Sequence, residues 1–476
     1  MSEKLEQRKE NAKSEFRQLI ECYIVPLLDI KGNCKLVVEP FYNKEFIEKD
    51  SVTSDLVRIF PLLSRNVPSP FYIQVKLNNG YTIPKSLPHI LSELLNVTEY
   101  NCFDFSIKRH YGKRGARQLS YKKRALDLAF ELGMCEWLTQ CDKDAVVLHT
   151  VVTQIINWSS RTYEGKKVPF GIVINFDEED DGNRADYLSF LNNDSSAVFT
   201  DGIFSGILLD KKGHVLSFLT RNSKPRAASK EKQIFVPYQF EDIAKHCTGS
   251  SVGVVALKNG EIILIKDQAI VFAKRGNKWI HFCWSRVYNS LRPYFQLNPS
   301  LTENDIYNRV KELYCTMLDV SFTHSGGCIA LVVPEKENDS INVDDIIKER
   351  IDLFSNGKFP KGVSAESKEK MTIMSYLLSY QTSQMRSFFE IERVLRKEII
   401  GLDGATVISL DGSFYCAGSI VAVTSDSSNG GGRTAAAKKL SGLGVGIKIS
   451  EDGYIEAYGL NLGVTKERIV RLFDFR

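Results

Sequence analysis

Hydrophobic and polar positions divide the chain into stretches of two different periods. Phe16, Leu19, Ile20 and Tyr23 recur at helical spacing, predicting one helix over residues 1 to about 30. Residues 31 to 100 hold short apolar patches, Leu36-Val37-Val38 and Phe71-Tyr72-Ile73-Gln74-Val75, between turns rich in Pro and Asn, and these read as strands. Val168 to Phe176 is a continuous apolar run, the pattern of a buried strand. After it come the turn Asp201-Gly202-Ile203, the returning strand Ile207 to Asp210, and a hairpin from Val252 to Ile262. Ile306, Val310, Leu313 and Met317 fall on one face of a helix over 302–318. The strand Thr406 to Leu410 is closed by the turn pair Asp411-Gly412. The last expected elements are an Ala/Lys/Leu helix opened by Asn429-Gly430-Gly431-Gly432-Arg433-Thr434 and the strand Val445 to Ile449.

Two parts of this pattern answer each other. Asp201-Gly202-Ile203 matches Asp403-Gly404-Ala405, Val252-Gly253-Val254 matches Val445-Gly446-Ile447, and Asn259-Gly260 sits where Asp452-Gly453 sits. The offsets are 202 for the first match and 193 for the other two. The expected architecture is therefore α/β, with mixed sheets and flanking helices in two related units, preceded by an α+β N-terminal region. The expected bounds are 1–144, 145–290 and 300–476, with Pro293 and Pro299 marking the connector. At the offset of 193, Phe240 falls where Arg433 is, and Lys258 where Glu451 is, so the first unit is expected to lack a phosphate site.

Composition changes this picture little. The chain has 476 residues, 43% hydrophobic and 25% charged, with 62 basic against 58 acidic side chains. A net charge of +4 on this length does not by itself argue for nucleic acid or membrane. The charged N-terminal stretch has no apolar core, and no apolar run approaches the length of a membrane span, so a cytoplasmic protein is expected. Ten scattered cysteines without a C-x-x-C pair read as reduced thiols, and the seven histidines show no zinc spacing. Eight Lys or Arg and no acid lie between Lys108 and Arg124, with Tyr111 and Tyr121 interleaved. This run reads as a solvated helix start or as a nucleic-acid contact surface. The acidic run Asp177 to Asp181 reads as an exposed loop or a metal site. The apolar stripe of Met371, Met374, Leu377, Leu378, Met385 and Phe388 reads as core or dimer packing.

A Gly-rich loop opening a helix is an anion site, because free backbone N–H groups and the positive end of the helix dipole point at it. Arg433 adds a fork that suits phosphate oxygens. With Asp403-Gly404-Ala405 upstream and Ser450-Glu451 downstream, residues 300 to 476 resemble the diadenylate cyclase domain family, which includes the nucleotide-binding domain of the bacterial DNA-integrity scanning protein. The Asp-Gly-Ala motif matches as it stands. The family's GTRHRAA-type loop is matched at Gly431, Arg433 and the following alanines, with Gly432 for its usual Thr, and Thr434-Ala435 where it has His-Arg. Ser450-Glu451 matches the third motif, two residues early; upstream, Phe388 to Ile400 resembles the family's amphipathic helix before Asp-Gly-Ala, and Gly326 to Val333 its first core strand.

That resemblance implies a nucleotidyltransferase that joins two ATP molecules into cyclic di-AMP with Mg²⁺ or Mn²⁺ as cofactor. It implies a catalytic and metal-binding role for Asp403, with Glu451 as a further metal ligand. Nucleotide contacts are implied for Gly404, Ala405, Gly431, Gly432, Arg433, Thr434, Ser450 and Glu451. Each lost phosphate contact is worth about 2–4 kcal/mol at a transition state, so the departures leave a second expectation open, a non-catalytic nucleotide sensor. Lys438 and Lys439 are candidates to replace the missing cations. Because each domain of this family supplies half a site, a face-to-face homodimer is implied for activity.

Overall fold

The computed structural model describes residues 115–159, 169–177, 200–223, 234–333, 386–421, 431–460 and 469–475, with shorter stretches in 14–94 and 162–167 and single positions at 372, 376 and 462. The chain forms two compact units. Unit 1 comprises Met1–Ile234 with Gln239–Cys283, and unit 2 comprises Phe235–Tyr238 with Trp284–Arg476.

Unit 1 begins with a π-helical turn, Ile20–Ile24, and a three-stranded antiparallel sheet of β1 (Cys34–Val37), β2 (Leu56–Ile59) and β3 (Tyr72–Lys76), with β3 central. Helices α1 (Gly115–Thr139) and α2 (Asp142–Ser159) follow, then the small hairpin of β4 (Thr162–Tyr163) and β5 (Lys166–Lys167). The main sheet contains β6 (Phe170–Asn175), β7 (Ser205–Asp210), β8 (Val215–Thr220), β9 (Val252–Ala256), β10 (Ile262–Lys266), β11 (Ala269–Arg275) and β12 (Lys278–His281). The short helix α3 (Glu241–Ala244) precedes β9. The strand order is β12-β11-β10-β9-β6-β7-β8, with only β6 and β7 parallel. Helix α2 lays Leu148, Val151, Val152 and Ile155 into the core shared with β9 and β10.

Glu131 of α1 ties helix to sheet. Its carboxylate accepts from Lys274 Nζ at 2.7 Å and Trp279 Nε1 at 2.9 Å, with His149 at 3.6 Å. Burial pulls this carboxyl up, but the contacts from His149, Lys274 and Trp279 outweigh it and hold the pKa down at about 2. A depressed folded pKa gives stability that is present above the unfolded value and lost as pH falls through the folded one. Glu131→Gln is therefore expected to cost about 3 kcal/mol at pH 7. In urea melts, the gap between wild type and variant should close as pH falls from 4.5 to about 2.

Unit 2 contains α4 (Trp284–Phe295), α5 (Glu303–Thr323), β13 (Gly327–Val332), α6 (Arg393–Ile400), β14 (Ala405–Ser409), β15 (Phe414–Ser419), α7 (Gly431–Leu440), β16 (Gly444–Ile449), β17 (Ile455–Leu460) and β18 (Ile469–Phe475). The sheet order is β15-β14-β13-β16-β17-β18, again with one parallel pair, β13 and β14. Every residue of β13 is buried, as its unbroken apolar run requires of a strand covered on both faces. The connector expected at 291–305 holds the end of α4 and the capping box of Thr302 and Asp305 that starts α5. The expected helix 388–400 starts only at Arg393. The Phe388 N–H donates to Gly412 O, and its ring lies against Phe389 and Phe414, which holds this segment in a turn. Residues 335–365, the stripe Met371 to Met385, Asn429-Gly430, most of 1–30, and Asp177 to Asp181 beyond Asp177 lie outside the described residues.

The two main sheets share one connectivity and one register. Val173 pairs with both Gly253 and Leu208, and Ala330 pairs with both Gly446 and Val407. The irregularity between Leu264 and Ile265 recurs between Ala457 and Tyr458, and that between Leu208 and Leu209 recurs between Val407 and Ile408. From Gly253 to Gly446 the shift is 193 residues, the value read from the sequence. From Leu208 to Val407 it is 199, not 202. The Asp-Gly match misled because the pair does different work in each unit. The Asp201 carboxylate accepts from the N–H groups of Ile203, Phe204 and Ser205, so β7 starts four residues after Asp201. Strand β14 starts two residues after Asp403.

Candidate functional site

Strand direction places the expected site at one end of the second sheet. β13 and β14 are parallel and β16 is antiparallel to β13, so the start of β13, the start of β14 and the end of β16 share an edge. Gly326, Gly404 and Ser450 flank the strands there.

Helix α7 is brought to that edge by a close crossing. A Cβ on Gly446 would lie 1.9 Å from Ala437 O, so the helix backbone rests directly on β16. The N-terminal turn of α7 then reaches past the strand end. Arg433 Nη1 donates to Glu451 Oε1 at 2.8 Å and lies over Gly326, 2.6 Å from where a Cβ would stand. His324, in left-handed conformation at the C-cap of α5 (φ 55°), donates from Nδ1 to Glu451 O at 2.6 Å. Gly431 has φ 76°, and among the described residues no atom lies within 4 Å of a built Cβ at Gly431 or Gly432. The Thr434 side chain is only 6% exposed, and its hydroxyl has no hydrogen-bond partner. Beneath, Cys328 is pushed up to about 12 by burial, against the pull of the Arg433 charge, so it is a thiol and not a nucleophile.

Other expected site residues have structural work. Gly404 has φ 110°, and its Cβ would stand 2.4 Å from the Gly418 carbonyl carbon, so β15 requires the glycine. Ala405 is buried at the start of β14. The Ser450 hydroxyl accepts from Tyr454 N–H at 3.0 Å and shapes the β16–β17 turn. Asp403 is exposed at the strand edge. Lys438 and Lys439 both lie in the last turn of α7, at the end opposite Arg433, where Lys438 Nζ sits 5.6 Å from the centre of the Tyr458 ring.

Among the described residues there is no group of three or more His, Cys, Asp or Glu that could hold an ion. Asp403 flanks β14 and Glu451 flanks β16, with β13 between them, a separation of about 10 Å at ordinary strand spacing. Glu451 is moreover engaged by Arg433.

The corresponding edge of unit 1 is built differently. The 3₁₀ turn Tyr238–Phe240 runs into α3, and the fully buried Phe240 stands at the Arg433 position. Lys167 Nζ donates to Asn259 O at the turn matching 452–453, and the Asp201 carboxylate is taken up by its own loop. Gly253 is crowded by a side chain and not by helix backbone, its Cβ position lying 2.6 Å from Cys247 Sγ.

Sequence reasoning missed His324 and Gly326. The available signal was their place between the end of the apolar stripe of α5 and the buried strand β13, which is a helix C-cap that must open onto the strand edge. Gly115 to Arg124 of the basic run lie in α1, and the rest of the run is outside the described residues. No helix among the described residues is long and apolar enough to cross a membrane. No protein-family model matches the chain, and no curated protein does.

Proposed function

We propose that unit 2 is a nucleotide-binding domain of the diadenylate cyclase type, joining two ATP molecules into cyclic di-AMP with release of two pyrophosphates. The observation that supports this most is the convergence, at one sheet edge, of Asp403-Gly404, the N-terminal turn of α7 with Arg433, and Ser450-Glu451. The first-turn N–H groups of Gly431 and Gly432, which an α-helix leaves without intrahelical partners, would join the helix dipole and a guanidinium in a cradle for phosphate oxygens. The buried hydroxyl of Thr434 adds an unmet donor in the same turn.

Arg433→Ala is expected to weaken ATP binding by about 1.5–3 kcal/mol, the usual value of a hydrogen bond to a charged group. Calorimetric titration checks this, and unchanged affinity would make Arg433 a surface cation. Incubation with ATP and Mn²⁺, followed by mass spectrometry for cyclic di-AMP, tests the reaction. A second reading is a sensor that binds nucleotide without turnover. It is favoured by Thr434 and Ala435 standing where the resembled motif has His and Arg. ATP bound but never converted would establish it.

The proposed reaction needs two equivalent half-sites. Phe240 stands in unit 1 where Arg433 stands in unit 2, so we assign activity to two chains with their 403–459 faces opposed. A protein that is monomeric by light scattering yet makes cyclic di-AMP would exclude that assembly.

A further inference from the structure

The ion pair at the mouth of the cradle carries an inference about regulation of the site proposed above, and it rests on that reading. The Arg433 guanidinium is the one side-chain cation placed on the first turn of α7, and it is already satisfied by a carboxylate of the same chain. Three features hold the partners in register. Gly326, without a side chain, leaves the notch in which Arg433 Nη1 lies. His324 grips the backbone carbonyl of Glu451. The Ser450 hydroxyl and the Gly453 N–H close the turn around it. A carboxylate has the planar two-oxygen face that a guanidinium also uses to grip a phosphate. We infer that Glu451 is a built-in competitor of the nucleotide's phosphate: it occupies the Arg433 fork in the empty protein and is displaced on binding.

Exposure supports displacement. The Glu451 side chain is 68% exposed and that of Arg433 only 32%, so the acid can swing into solvent while the cation stays in its notch. A pair this exposed is weak, which a displaceable latch requires. The same geometry separates this role from that of a metal ligand, since a competitor needs no cation to act.

The test is calorimetric titration of the full chain with ATP, and separately with inorganic tripolyphosphate, in EDTA so that no divalent ion takes part. Wild type, Glu451→Gln and Arg433→Ala are compared. Glu451→Gln keeps the shape and removes the charge, and it is expected to tighten both ligands by about 3- to 10-fold. Arg433→Ala is expected to weaken both. If Arg433→Ala weakens binding while Glu451→Gln leaves it unchanged or weaker, the latch is overturned and the anion site stands. If neither ligand binds wild type or Glu451→Gln, the nucleotide reading itself falls, and the latch with it.

Discussion

Gly446→Val is expected to remove helix α7 from its sheet. The position has no room for any side chain, because a Cβ would stand 1.9 Å from Ala437 O and 2.8 Å from the Ala437 carbonyl carbon. Both are backbone atoms and neither can turn aside. The helix must lift by more than an ångström, and Ala435, Ala436, Ala437 and Leu440, all buried, would lose their packing together. Overpacking of a tight core costs about 1–3 kcal/mol, and the backbone partner puts this case at or above the upper end. Urea melts should show the loss. Because Arg433 reaches the strand edge only through this crossing, nucleotide binding should fall with it. A melt within 0.5 kcal/mol of wild type would show that α7 does not depend on the crossing.

Arg393→Ala should cost as much by a different route. Its guanidinium makes a two-point contact with Asp319, Nε to Oδ2 at 2.5 Å and Nη2 to Oδ1 at 2.8 Å, and donates to Val236 O at 2.5 Å. Asp319 is buried and also accepts the Tyr238 N–H at 2.7 Å. Removing the arginine leaves a buried carboxylate without its counter-charge, an expected loss of about 3–5 kcal/mol. Burial already raises the Asp319 pKa, with Arg393 pulling it down, so the variant loses the restraining partner. A raised folded pKa favours the fold at low pH and loses that stability as pH rises through it. The deficit of Arg393→Ala should therefore be larger at pH 7 than at pH 5. Adding Asp319→Asn should recover part of it. A deficit that does not change with pH would mean that packing, not charge, sets the cost.

Regular strands were legible because burial on both faces writes a continuous apolar run, as in 170–175 and 327–332. The second half of the repeat was legible for a steric reason. Gly446 lies under the backbone of α7 and Gly253 under the Cys247 side chain, neither with space for a side chain, and both glycines survive in the pattern. The first half was displaced by three residues because an Asp-Gly pair announces a turn without saying which turn. Asp201 spends its carboxylate on its own loop, whereas Gly404 answers to the backbone of β15. The start of α6 was misplaced because Phe388 is apolar and in phase with the helix but belongs to a turn held by Gly412. The pairing of Arg433 with Glu451 could not be read at all. It depends on α7 crossing β16 and on an empty position at Gly326, and neither follows from local spacing.

Photolabelling with an azido derivative of ATP, followed by peptide mapping, tests the nucleotide site most directly. The account predicts label within residues 403–460, reduced by excess ATP and by Arg433→Ala. Label confined to unit 1, or label in 403–460 that Arg433→Ala leaves unchanged, would contradict it.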